Sequence, residues 1–254
     1  MAKTTLDQEA ILAMLAAKDV EQLWPVFLKI VKPFGFDGVL YGTNRLSRGD
    51  AFGRRPDSFF LTDLPGEIMK LFWDKEQYRD AVIADWAMRN NGVRSLRYGG
   101  EIYASGKMTP RQTMVHESLM QAGVTSGIAI GFTVDNTMES AGLGLINLGA
   151  SHDETEAIWA ANEVSLMTYA QLFQLKLSSF ALPMPRKKLT KRQMEVLRWV
   201  AEGKTNAEVA TILGLSSATI EKHLRQSRET LGVSTTLQAV LHAQIYARAF
   251  TDPR

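Results

Sequence analysis

The 254-residue chain has no cysteine, which excludes disulfides, thiolate metal sites and cysteine nucleophiles and fits a reducing cytosol. Histidine is scarce. His116, His152, His223 and His242 are scattered, and His116-Glu117 lacks the second histidine of a zinc-binding helix, so no metal site is expected. Gly142-Leu143-Gly144 lacks the rest of a dinucleotide fingerprint, and there is no phosphate-loop pattern, so no cofactor is expected. Long apolar runs are missing too. Asp7, Glu9 and Lys18 interrupt the early Ala and Leu residues, which predicts neither a secretory signal nor a membrane span. No internal repeat or low-complexity tract occurs. With these gaps the chain reads poorly as an enzyme.

What is present is ordinary globular composition: 45% hydrophobic and 22% charged residues, with room for two domains. The charge is unevenly spread. Residues 186–254 hold 12 Lys/Arg against 6 Asp/Glu, leaving 17 against 21 for residues 1–185. Between the two halves, Ala181-Leu182-Pro183-Met184-Pro185-Arg186-Lys187-Lys188 combines two helix-resisting prolines with a basic run. The expected organisation is therefore one domain over 1–180, a linker over 181–188 and a basic domain over 189–254.

The basic domain reads as four short helices. Thr190 and Gln193 form a capping box, and Val196, Leu197 and Val200 share a stripe that ends at Glu202-Gly203. Thr205 or Asn206 caps the next helix, with Val209, Ala210 and Leu213 inward and Gly214 turning the chain. Ser216 or Ser217 starts a third helix whose Ile220, Leu224 and Leu231 face in, leaving Thr219, Glu221, Lys222, Arg225 and Arg228 outward. A fourth runs from about Thr235 to Phe250. A basic, hydroxyl-rich third helix after a tight turn is what a helix-turn-helix needs to enter a major groove of double-stranded DNA. Any single Lys or Arg reads better as part of a solvated helix face, whereas the group, with its spacing and turns, reads as DNA-binding.

The Leu189-Thr190 opening, Glu202-Gly203-Lys204-Thr205-Asn206 and Ser216-x-x-Thr219-Ile220-x-x-His223 resemble the DNA-binding domain of LuxR-type regulators, shared with NarL-type response regulators. The family usually carries Glu where Gln193 stands, and Gln still completes a capping box. The resemblance implies base-edge contacts from Glu221, Lys222 and Arg225. It implies phosphate contacts from Thr219, His223 and the Lys204-Thr205-Asn206 helix start, with Ser217 at the start of the recognition helix. Arg225 suits a guanine fork and Glu221 a cytosine amino group, while His223 is also legible as a half-buried residue pinning the helix.

Upstream, helices are predicted over Asp7–Lys18, Val20–Val31, Pro65–Tyr78, Asp80–Asn90, Thr109–Ala122 and Glu154–Phe180. Strands are predicted over Phe36–Tyr41, Ser58–Leu61, Thr125–Val134 and Ala141–Leu148, the last two glycine-bearing and joined by a turn at Asp135-Asn136. Helices flanking a mostly antiparallel sheet indicate an α+β domain. In LuxR-type regulators the corresponding domain is an α-β-α sandwich that binds an autoinducer, typically an acyl-homoserine lactone.

The family holds the lactone's polar head with Trp-x(3)-Tyr-x(8)-Asp-Pro and a second Trp. Trp73, Tyr78, Asp85 and Tyr98 resemble that run at about one position's offset, with Trp86 in place of the proline. Asp80-Ala81-Val82-Ile83 is the rival match, so either Asp80 or Asp85 is the head residue. Without a ligand these aromatics are core residues and Asp85 a helix cap. On the last helix Ile158, Asn162, Leu166, Tyr169, Phe173 and Leu177 recur at nearly heptad spacing, which suits a homodimer seam or packing on the sheet. The expected function is transcription regulation controlled by a small diffusible signal. A ligand-independent regulator and a phosphorylation-controlled response regulator are the alternatives.

Overall fold

Asp7 and Asp19 turn their carboxylates onto amides of the following turn, and each opens a helix. The computed structural model describes residues 6–44, 58–132, 140–180, 189–240 and 243, without the side chains of 71–76. It makes these helices α1 (Gln8–Ala16) and α2 (Val20–Val31). Pro25 lies on the exposed side of α2, where the carbonyl it leaves without an amide donor meets water. β1 (Gly38–Asn44), β2 (Ser58–Thr62), α3 (Gly66–Trp73), a 3-10 segment (Asp74–Asp80) and α4 (Val82–Arg89) follow. Then come β3 (Asn91–Ser95), α5 (Arg97–Ala104), α6 (Pro110–Gln121), β4 (Val124–Phe132), β5 (Ser140–Leu148) and α7 (His152–Ser178).

Three expectations change. The helix predicted over Pro65–Tyr78 is an α-helix continued by 3-10 turns, and the next begins at Val82 rather than Asp80. β3 and α5 fall where the sequence predicts no element. Asn91-Gly92-Val93-Arg94-Ser95 has one large apolar side chain, and Arg97-Tyr98-Gly99-Gly100 is a weak helix former. Tertiary context creates both: β3 hydrogen-bonds along β4, and α5 sets Gly99 under the His116 ring. The Asp135-Asn136 turn lies outside the described residues.

The strands make one antiparallel sheet, ordered β2-β1-β5-β4-β3. Val39 and Tyr41 point to one face, beneath α2 and α7, where Phe27 stacks on Phe173 at 4.2 Å and Tyr41 meets Phe173 edge-on at 5.3 Å. The Tyr41 hydroxyl donates to Gln174 at 2.7 Å, so the ring is buried without stranding its polar end. α3, α4 and α6 cover the other face, completing an α-β-α arrangement. The start of α7 is pinned by buried polar groups: the Thr155 hydroxyl donates to Asn147 Oδ1 (3.1 Å), accepts from Ser126 Oγ (2.7 Å), and Asn147 Nδ2 donates to the Gly35 carbonyl (2.7 Å).

The near-heptad stripe of α7 is mostly spent inside this domain. Leu166, Tyr169, Phe173 and Leu177 are buried, with Ile158 and Asn162 half-buried. The large apolar side chains that α7 leaves exposed are Val164 and Leu175, at 77% and 70%.

Residues Met1–Phe180 and Ala181–Arg254 form two compact units, and the predicted linker over 181–188 lies outside the described residues. In the second unit Thr190 caps α8 (Lys191–Ala201), Thr205 caps α9 (Asn206–Leu213) and Ser216 caps α10 (Ser217–Leu231). Val196, Leu197, Val209, Ala210, Ile220, Leu224 and Leu231 are buried together with Ala239, Val240 and Ala243. Residues 236–240 are helical, and most of the predicted fourth helix beyond them lies outside the described residues.

Candidate signal pocket and nucleic-acid interface

Strand register sets Gly42, Gly142, Gly131 and Gly92 side by side across four strands, with Phe60 of β2 at the end of the row. The next row on this face is Leu40, Gly144 and Ala129. A Cβ at Gly131 would stand 2.2 Å from the Asn90 carbonyl oxygen and 2.6 Å from that of Ala87, and one at Gly142 2.9 Å from the Ala87 Cβ. Bare backbone therefore lets α4 settle directly on the sheet. Beside that contact lies a cavity of about 100 Å³ between the glycine rows, Ile68 and Met69 of α3, Ala84 and Met88 of α4, and Leu119 of α6. Every residue lining it is apolar or glycine. Such a wall accepts hydrocarbon, and its methionines can adjust to a guest's shape.

The residues predicted for the polar head are dispersed around this cavity. Tyr78 is fully buried in the same core cluster as Met69 and Ala81, with its ring edge-on to Phe60 at 5.3 Å. Asp85 turns to the outer face of α4, where it accepts from Arg89 Nε at 2.9 Å. Trp86 and Tyr98 hold the Arg94 guanidinium between their rings, 5.0 and 4.4 Å from the centroids. Trp73 ends α3, and its side chain lies outside the described residues. In the rival stretch Ala81 and Ile83 line the cavity while Asp80 pairs with Arg111.

A second cavity of about 90 Å³ shares Ala81, Ile83, Leu96, Leu119 and Val124 with the first. It adds polar groups: Gln112 and His116 of α6, Thr125 of β4 and His152 at the start of α7. Burial holds both imidazoles below the usual histidine range, helped for His152 by the nearby positive charge of Arg97. Arg97 is bound by both oxygens of Glu156 (2.9 and 3.1 Å) and by Asp153, which fastens α5 to the head of α7. That pairing in turn holds the Glu156 carboxyl below its ordinary range. His116 and His152 look scattered in the sequence because the members of this polar cluster come from three separate elements, α6, β4 and α7.

In the second unit Gly214 adopts φ 64°, closing α9 and turning the chain into α10. Lys222 and Arg225 are exposed on α10, Arg225 lying 3.8 Å from Glu229. Glu221 accepts from Asn206 Nδ2 at 3.1 Å and from Arg228 Nη2 at 3.0 Å, and Arg228 also donates to the Thr236 hydroxyl at 2.8 Å. Arg228, predicted to face outward, is thus a brace within the domain. Thr205 closes a capping box with Glu208, Ser216 accepts from the Thr219 amide, and Ser217 and Thr219 occupy the first turn of α10. His223 is half-buried, and its Nδ1 has no hydrogen-bond partner among the described residues. Lys204 is exposed just before α9.

Comparison with family models matches residues 187–243 to bacterial regulatory proteins of the luxR family and residues 19–176 to the autoinducer binding domain. The chain belongs to the LuxR family. Members are DNA-binding transcription regulators with an autoinducer-binding domain rather than enzymes, and quorum sensing is their setting. Among similar proteins, the transcriptional activator AnoR of Acinetobacter nosocomialis is 23% identical over 247 residues, 93% of this chain and 95% of that protein. The crystal structure of Escherichia coli SdiA shares the fold with a TM-score of 0.57 at 17% identity, covering 95% of this chain and 97% of that one. CepR2 of Burkholderia cenocepacia, an N-acylhomoserine-lactone-dependent LuxR-family factor, aligns with a TM-score of 0.51 at 14% identity over 66% of this chain and 91% of its own. Among the described residues of this LuxR-family chain, no helix is long and apolar enough to cross a membrane.

Proposed function

We propose that this LuxR-family regulator senses an acylated diffusible signal, an acyl-homoserine lactone, and binds a palindromic operator as a homodimer. The wholly apolar cavity over the glycine rows carries the reading, because its lining suits a hydrocarbon such as an acyl chain. Lactone dependence in CepR2 supports the head-group class. Ligand that binds only the folded domain stabilises it by mass action, which raises the population able to dimerise and so to engage two half-sites. On the DNA side α10 enters the major groove. Lys222 and Arg225 reach bases, Glu221 is held by Asn206 and Arg228 for a cytosine amino group, and Lys204, Thr205, Ser217, Thr219 and His223 lie along phosphates.

A thermal melt of the chain with N-acyl-homoserine lactones of graded tail length tests the reading. A hundredfold excess over Kd adds roughly 2.7 kcal/mol, which at this size raises Tm by about 5–10 °C. No shift with any lactone at saturation counts against the signal and leaves the DNA assignment standing. A second reading, a regulator answering to another amphiphile or to none, is favoured by one observation: Asp85, Trp86 and Tyr98 are not in the cavity wall and have protein partners.

A further inference from the structure

We infer that the signal's polar head is read in the second cavity by His116, His152 and Gln112, and that this head is uncharged. The inference rests on the reading that an acyl tail fills the apolar cavity, since the two spaces meet at Ala81, Leu96 and Val124. A wholly apolar space adjoining one with polar groups, through residues that line both, suits a single amphiphile with its tail in the first and its head in the second.

The three side chains have unused hydrogen-bonding capacity. His152 Nδ1 is buried with no hydrogen-bond partner among the described residues, a state that costs free energy until something fills it. His116 lies over Gly99 with its ring tilted against that of Tyr103 at 4.9 Å, contacts that fix its ring without using its nitrogens. Gln112 gives its Oε1 to the Thr109 amide at 2.9 Å, which leaves the Nε2 donors for a guest. Thr125 already donates to the Ala150 carbonyl at 2.7 Å and has only acceptor capacity left.

Charge decides the class of head. Glu101 and Tyr103 reach the imidazoles from α5, Glu117 from α6, and Asp153 and Glu156 from α7; the cation Arg97 is bound by Asp153 and Glu156. The surroundings are thus net acidic, while partial burial pulls both imidazoles down and so favours their neutral form. A neutral imidazole offers one donor and one acceptor, which suits carbonyls and an amide N–H. A carboxylate head would meet four carboxylates and need a protonated ring that burial opposes. A lactone with its amide meets the requirement, and a free fatty acid does not.

The test uses the full chain with ¹⁵N-labelled histidine. N-octanoyl-homoserine lactone is expected to shift the imidazole signals of His116 and His152 and to leave those of His223 and His242 in place. By calorimetry His116→Leu and His152→Leu should each weaken the lactone about tenfold. Octane, which has a tail alone, should bind both variants as it binds the native chain, and octanoate should bind the native chain at least tenfold more weakly than the lactone. Lactone binding with both imidazole signals unmoved, or octanoate binding as tightly as lactone, overturns the head assignment and spares the apolar cavity. If neither lactone nor octane binds, the cavity reading falls and takes this inference with it. Should a variant fail to fold, the spectra of the native chain still decide.

Discussion

Gly131 bears much of the weight of the pocket. Its missing Cβ would overlap two backbone carbonyl oxygens of the segment that ends α4, and backbone cannot rotate aside as a side chain can. Gly131→Ala should therefore cost about 1–3 kcal/mol by forcing a backbone shift, and should weaken signal binding by lifting Ala87 and Met88 from the cavity. Gly100→Ala is the contrast: nothing lies within 4 Å of the added methyl, and a helix interior gains roughly 0.5–1 kcal/mol over glycine. Denaturant titration of both variants checks the pair, and equal effects would remove the close-approach argument. The glycines of β4 and β5 are visible in the sequence, but their alignment into one row requires the strand register. Asp80 and Asp85 illustrate the same limit. Five residues apart, both fit a family pattern by spacing, and only the fold reveals that each has an arginine partner.

At the scale of elements, a capping box is local chemistry, and the one at Thr190 is legible in the sequence; the box at Ser151 is not recognised there, and α7 begins at His152 rather than Glu154. Among the described residues five helices begin with such a box: α6 from Thr109, α7 from Ser151, α8 from Thr190, α9 from Thr205 and the helical run at 236–240 from Thr235, whose amide donates to Gln238 while its hydroxyl accepts from the Gln238 amide. What stayed hidden were β3 and α5, whose formation depends on neighbours distant in sequence. The boxes differ in one respect with a consequence. α8 uses Gln193, which does not titrate, whereas α9 uses Glu208, whose carboxyl is held below its ordinary range by the Thr205 amide and then the Thr205 hydroxyl. A depressed carboxyl contributes stability above its unfolded pKa and loses it as pH falls through the folded value. Glu208→Gln keeps the box but not the titration. The second unit, followed through Trp199, should thus be less stable in the variant at pH 7, with the difference shrinking as pH falls below the carboxylate range. A difference independent of pH would mean that the Glu208 charge contributes nothing at the start of α9.

At the scale of the whole molecule, the proposed homodimer requires a surface through which two copies would meet. The stripe that spacing singles out on α7 is consumed by the sheet, because a 27-residue helix lying on a five-stranded sheet needs its apolar face at home. Val164 and Leu175 are three helical turns apart on the opposite side, and Leu12 of α1 adds a third exposed apolar residue at 64%. Isolated exposed apolar residues need no explanation, but these sit on two helices that contact each other, as the Lys176 ammonium donating to the Leu15 carbonyl (2.6 Å) shows. If this is the seam of the homodimer, Val164→Asp combined with Leu175→Asp should leave the melt of the domain within about 0.5 kcal/mol of native, since exposed positions tolerate charge. The same pair should convert a dimer to monomer in sedimentation. Affinity for a palindromic operator should then fall by roughly a hundredfold or more, as the second half-site loses its effective concentration, while affinity for a single half-site stays put. A double variant that still sediments as a dimer would place the seam elsewhere. One that is monomeric yet binds the palindrome with native affinity would mean that dimerisation has no part in operator recognition.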